Sequence, residues 1–201
     1  MKIGKAKTDN NHHAVGAKIE IRRMVMSGVP SPRVFDAFCG SGKMFDAVWH
    51  EACEYVGCDE RPWNMDDPPR FVADNRLILR TLPLDRFNIF DFDAYGSPWE
   101  QVLILASRRV FVPMETIGLV LTDGTSLKSR FGGIPRAVQV LAGLKSLKKN
   151  PSDLGTKAIA EMALRGFLKK TGLHVISAWQ ADGVGSSKMV YSGFVLQSRG
   201  E

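Results

Sequence analysis

The stretch 34-VFDAFCGSGKMF-45 runs an apolar segment into a glycine turn and then into residues of helical character. In a strand–turn–helix unit of this kind the glycines let the backbone turn tightly beneath a ligand at the strand's C-terminal edge. Three ligands compete for such a turn. A phosphate loop needs G-x-x-x-x-G-K-[S/T]; Gly42 and Lys43 fit its end, but Ala37 stands at the first glycine and Met44 at the hydroxyl position. A dinucleotide fingerprint, G-x-G-x-x-G, is met at Gly40 and Gly42 and lost at Phe45. Asp36, ending the strand, would also set an anion against a pyrophosphate. A cofactor carrying a sulfonium and an ammonium, and no phosphate, suits an acidic strand end better, and S-adenosylmethionine is such a molecule. Asp36, Phe38, Gly40 and Gly42 are its candidate contacts in the turn.

Further acids follow at regular places. Asp59 ends the next apolar run, 17 residues after Gly42, where a carboxylate can accept hydrogen bonds from ribose hydroxyls; Glu60 competes for the same role. Asp74 and Asn75 end a third run and could address an adenine amino group. Acids at strand ends also serve as helix caps, but three in succession on one rim of a sheet point to a nucleoside-bearing ligand.

The fourth run ends 91-DFDAYGSPWEQ-101. Asp93 with a neighbouring backbone carbonyl could hydrogen-bond a planar amine, orient its nitrogen and relay a proton, while Tyr95 stacks on the ring that carries it. Ala94 and Gly96 are the adjoining substrate contacts, and Pro98 suits the first turn of a following helix. After the fifth run, Lys128, Arg130 and Arg136 surround Phe131, a mixture fit for phosphate neutralisation and base stacking or for a plain surface loop. Lys2, Lys5, Lys7, Lys18, Arg22 and Arg23 make residues 1–30 a basic arm, lid or helix, or merely a solvated tail, the reading preferred for residues 1–10.

These side chains need a scaffold that delivers strand ends to one rim. Short β-rich runs (33–38, 54–59, 70–74, 87–93, 117–123) alternate with helical ones (43–52, 75–82, 98–110), the pattern of βαβ units and a parallel sheet. Helices are expected over 134–144 and 154–170. The runs 173–180 and 188–197 are joined by a link too short for a crossover, so they should pair antiparallel. The expectation is an α/β, Rossmann-like, mostly parallel seven-stranded sheet with a C-terminal antiparallel pair and helices on both faces.

The chain has 201 residues, 44% of them hydrophobic and 24% charged, enough for one packed domain spanning 1–201 with no separate target-recognition domain. The net charge of +6 divides into +4 for residues 1–50, −6 for 51–100 and +8 for 101–201, an acidic rim between basic flanks. No apolar run reaches the roughly 20 residues of a membrane span and no secretory signal is legible, so a cytoplasmic protein is expected. Cys39, Cys53 and Cys58 lack the spacing of a disulfide framework or a zinc site, and no metal is expected.

VFDAFCGSG resembles the first motif of class I S-adenosylmethionine-dependent methyltransferases. In order and spacing, 74-DNRLIL-79, 88-NIFDFDAYGSP-98 and 117-IGLVLTDGTSL-127 resemble the tRNA guanine-26 N2-dimethyltransferase family, whose fourth strand typically ends D-P-[Y/F]-G-S-P. The similarity covers about residues 33–130. It implies the methyltransferase fold, cofactor contacts at Asp36, Gly40, Gly42, Asp59 and Asp74, and a target amine at Asp93 and Tyr95. Ala94 replaces the usual proline, and the family's additional C-terminal domain has no counterpart, so position 26 of tRNA does not follow. The expected activity is N-methylation of a base amine in RNA or DNA. A protein or small-molecule acceptor, or a catalytically silent cofactor-binding subunit of a protein partner or homodimer, stays open.

Overall fold

The computed structural model describes residues 12–63, 69–124, 133–144, 156–183 and 189–200. Seven strands form one sheet in the order β3-β2-β1-β4-β5-β7-β6. They are β1 (Arg33–Asp36), β2 (Glu54–Asp59), β3 (Arg70–Val72), β4 (Ile89–Asp93), β5 (Thr116–Asp123), β6 (Leu173–Asp182) and β7 (Val190–Ser198). The first five pair in parallel, and β7 enters antiparallel between β5 and β6. The expected architecture is present. The order in which strands are added reverses at β1, which lies between β2 and β4, so the crevice where open α/β sheets take ligands falls at the C-terminal ends of β1 and β4.

Strand alternation divides the core in two. Phe35, Phe90, Phe92, Leu119 and Leu121 point to one face, where they pack with α3 (Asn75–Thr81), α4 (Trp99–Arg108), α5 (Arg136–Leu141) and α6 (Thr156–Thr171). Val34, Ile89 and Val120 point to the other, beneath α1 (His12–Ser27) and α2 (Lys43–Ala47). Each fully buried Phe or Leu contributes roughly 1.5–3 kcal/mol of hydrophobic stabilisation. The second face is not wholly apolar, because Asp36, Asp91, Asp93 and Thr122 lie on the same side of their strands as Val34, Ile89 and Val120.

Two local features shape that face. Residues 12–27, expected within a basic arm, form a helix laid on the sheet, with Ile21 and Val25 buried at 3% and 0% exposure. Glycines make the close approach possible: a Cβ on Gly118 would come within 2.6 Å of Val25 Cγ1, and one on Gly193 within 2.6 Å of Ile21 Cγ2. The helix expected over 43–52 stops at Ala47, because Val48 leaves helical geometry (φ −144°) and a 3₁₀ turn, Trp49–Glu51, carries Trp49 into the core.

Candidate active site

The glycine turn is built by backbone bonds at the ends of β1, β2 and β4. Ala37 N–H donates to the Asp91 carbonyl, Cys39 N–H to the Cys58 carbonyl and Gly42 N–H to the Cys39 carbonyl. Gly40 (φ 52°) and Gly42 (φ 84°) occupy the left-handed region that a side chain would strain. Asp59 tethers the turn, accepting from Gly40 N–H at 3.1 Å through Oδ2 and from Arg61 N–H at 2.8 Å through Oδ1. Each oxygen keeps a second lone-pair direction for a ligand hydroxyl. Glu60 is exposed and Phe38 half-buried.

Three predicted contacts have work inside the scaffold. Asp36 is 2% exposed and accepts from Phe38 N–H at 3.0 Å and the Tyr55 hydroxyl at 3.1 Å. Burial and the neighbouring Asp91 carboxylate push its pKa well above its ordinary value, which disfavours a free anion at the crevice. Asp74 caps α3 by accepting from Arg76 N–H at 2.8 Å, and the Arg76 guanidinium pairs with the same carboxylate. That hydrogen bonding lowers its pKa. Asn75 is buried, donating to the Ala37 carbonyl at 2.9 Å and accepting from Gln101 Nε2 at 2.9 Å, which ties the turn to α4.

The fourth strand places its acids in register with these. Asp91 sits beside Asp36 on the adjacent strand, and Asp93 sits beside Thr122. Asp93 accepts from Lys18 Nζ at 2.8 and 3.0 Å and from Arg22 Nη2 at 3.2 Å. Burial works against its ionisation, but Arg22 and Lys18 outweigh it and hold the pKa below its ordinary value. Immediately beyond, Ala94 is buried and Tyr95 stands out with 79% of its surface exposed. The Gly96 carbonyl accepts from Gly124 N–H at 2.5 Å, and the Trp99 indole donates to Asp123 at 2.7 Å, fixing this turn to the end of β5. Lys128, Arg130 and Phe131 lie outside the described residues.

Lys18, Arg22, Trp49, Tyr55 and Asp91 were not among the expected site residues. Arg22 is 1% exposed and binds both oxygens of Asp91, whose Oδ2 also accepts from the Trp49 indole at 2.9 Å. The signal was the D-F-D pattern: two carboxylates on one face of a buried strand require cationic or hydrogen-bonding partners. Arg22 thus faces Asp91 and Asp93 together, and Lys18 adds a second cation at Asp93. Burial also pushes the Cys39 and Cys58 thiols up to about 12, which removes them as nucleophiles. Among the described residues no group of His, Cys, Asp and Glu is arranged to hold a metal, and no helix is long and apolar enough to cross a membrane.

No protein-family model matches the chain, and no curated protein matches its sequence. Solved structures share its fold. The N-methyltransferase NodS from Bradyrhizobium japonicum WM9, in complex with S-adenosyl-L-homocysteine, aligns over 94% of this chain and 89% of its own, with a TM-score of 0.59 and 10% identity. Trm1 from Pyrococcus horikoshii, in complex with S-adenosyl-L-methionine, aligns over 96% of this chain at a TM-score of 0.60 and 16% identity. This chain spans 57% of that protein's length. The fold is the Rossmann-like methyltransferase fold; at these identities the likeness is one of architecture.

Proposed function

We propose that the protein is an S-adenosylmethionine-dependent N-methyltransferase whose acceptor is an exocyclic amine of a nucleic-acid base. One observation carries this reading: a carboxylate held by two cations, Asp93, and an exposed aromatic ring, Tyr95, stand two residues apart at the switch point of the sheet. Across the crevice from them lies the glycine turn tethered by Asp59.

The turn suits the cofactor. A Cβ on Gly40 would meet nothing nearer than the Phe38 carbonyl at 4.0 Å, so a ligand can approach the backbone there. Asp59 and Glu60 offer acceptors to a ribose and would repel a pyrophosphate, while half-buried Phe38 offers an apolar wall. When bound, the cofactor supplies an electrophilic methyl group on a sulfonium. The complexes of NodS and Trm1 support the same choice.

Tyr95 would stack on the base, worth about 1–3 kcal/mol per ring, and hold its plane against the rim. Asp93 would accept an N–H of the amine and so aim the nitrogen lone pair into the crevice. Forming the new N–C bond spends that lone pair and leaves a strongly acidic N–H. A carboxylate held below its usual pKa is still basic enough to take that proton. Incubation with labelled cofactor and separate pools of tRNA, rRNA, double-stranded DNA and protein tests the reading. Label should enter a base amine of a nucleic-acid pool, and label confined to protein would refute it.

A further inference from the structure

Asp93 is the hydrogen-bond and proton acceptor in the proposed reaction, and the role assigned below to its neighbour Lys18 rests on that reading. The edge of Asp93 between its two oxygens is already covered. Lys18 Nζ bridges both carboxylate oxygens at 2.8 and 3.0 Å, and Oδ2 also takes Arg22 Nη2 at 3.2 Å. A carboxylate has about four acceptor directions; Oδ2 is filled, Oδ1 keeps one, and the ammonium occupies the edge between the oxygens, where an amine would dock on both. Asp93 and Lys18 are each 16% exposed, so the pair also shields itself from water.

The two cations differ in their freedom to leave. Arg22 is 1% exposed, holds both oxygens of Asp91 and donates to the Lys18 carbonyl at 3.1 Å; withdrawing it would strand a buried carboxylate. Lys18 carries its charge on a flexible four-carbon stem, with the ammonium 5.4 Å from the centre of the Tyr191 ring. Rotation of that stem moves the ammonium away while Arg22 keeps Asp93 ionised.

A neutral amine can replace the hydrogen bonds of Lys18 but not its charge, so an expelled ammonium needs another anion. A phosphate attached to the substrate supplies one within reach of the amine's own binding place. We propose that Lys18 is a specificity-determining latch that caps Asp93 until a phosphate of the nucleic-acid substrate draws its ammonium away. Phosphate-bearing substrates then open their own site, and free bases and nucleosides meet a closed one. Specificity of this kind arises from a cost imposed on the wrong substrate, more than from an added contact to the right one.

The test is nuclear magnetic resonance on the full chain labelled with 15N at lysine side chains and 13C at aspartate carboxyls, with Lys18 and Asp93 assigned by Lys18→Met and Asp93→Asn. Titration of the wild-type chain with a single-stranded RNA oligonucleotide should move the Lys18 ammonium and Asp93 carboxyl signals together. The Asp93 signal should travel in the direction that Lys18→Met produces without RNA, and a mixture of the four ribonucleosides should leave both in place. If RNA shifts other signals but not this pair, or if nucleosides move the pair equally, the latch is wrong and nucleic-acid binding stands. If RNA shifts no signal, the latch and the nucleic-acid reading fall together. The wild-type titration needs no variant to fold.

Discussion

Arg22 and Asp91 meet across the interface between α1 and the sheet in a paired fork, Nε to Oδ2 at 2.7 Å and Nη2 to Oδ1 at 2.9 Å, with the side chains 1% and 0% exposed. Such a pair spends much of its attraction on desolvation, yet breaking it from one side leaves a naked buried charge. Arg22→Met should therefore destabilise the fold by about 3–5 kcal/mol, whereas Arg22→Met with Asp91→Asn should recover part of that loss. Urea unfolding of the three chains gives the values. Equal losses in the single and double variants would mean that the pair does not act as a unit.

Asp36 gives the fold a pH dependence of definite sign. Its folded pKa is raised by burial first and by Asp91 next; Arg22 opposes the shift and Asp93 adds to it, with Tyr55 and Phe38 N–H as its hydrogen-bond donors. Above the unfolded value of about 3.9, the folded chain keeps a proton that the unfolded chain gives up, so stability falls with rising pH until the folded pKa is passed. Burial raises the Asp91 pKa in the same direction, and Asp36→Asn removes the Asp36 share of that slope. Its stability advantage over wild type should widen as pH rises from about 4, measured by denaturant unfolding at a series of pH values; parallel curves would contradict the assignment. Asp93 is shifted the other way, so its contribution is present above its unfolded value and is lost as pH falls below that value, outside this window.

Asp59 both shapes the glycine turn and is assigned to the ribose. Asp59→Asn keeps an acceptor oxygen for Gly40 N–H while removing the charge. Affinity for S-adenosylhomocysteine should drop by about tenfold or more, where tenfold corresponds to about 1.4 kcal/mol, as read by calorimetry. Unchanged affinity would move the ribose contact to Glu60.

Tyr95 makes the opposite kind of prediction, because a side chain 79% exposed holds little of the fold together. Tyr95→Ala should leave stability within about 0.5 kcal/mol of wild type and lower kcat/KM on the nucleic-acid substrate by about 5- to 150-fold, the loss of one stacking contact. Tyr95→Phe should retain activity. If phenylalanine fails as badly as alanine, the hydroxyl and not the ring face is what the substrate meets.

The sheet could be read from the sequence because continuous apolar runs and short links leave few topologies, and β2 spans 54–59 as expected. The rim acids could be read too, since Asp59 and Asp93 end their strands. Less legible was which of them are free. Asp74 and Asn75 look like ligand contacts in sequence, but a cap and a buried amide bridge are satisfied by partners at Arg76, Ala37 and Gln101 that only the fold brings near. The docking of the N-terminal helix on the sheet was hidden for a related reason. Lys18 and Arg22 read only as part of a basic arm because nothing local reveals that Gly118 and Gly193, some hundred residues or more away, clear a place for α1 against β5 and β7. Trp49 was concealed by helical spacing that breaks at Val48, where burying the indole on Asp91 overrides the local preference.

The most direct test of the proposed chemistry is methyl transfer to nucleic acid by wild type and Asp93→Ala at matched cofactor saturation. The predicted result is loss of transfer in the variant, with affinity for S-adenosylhomocysteine nearly unchanged. Transfer that survives in Asp93→Ala, or disappears only together with cofactor binding, would contradict the placement of the acceptor amine at the end of β4.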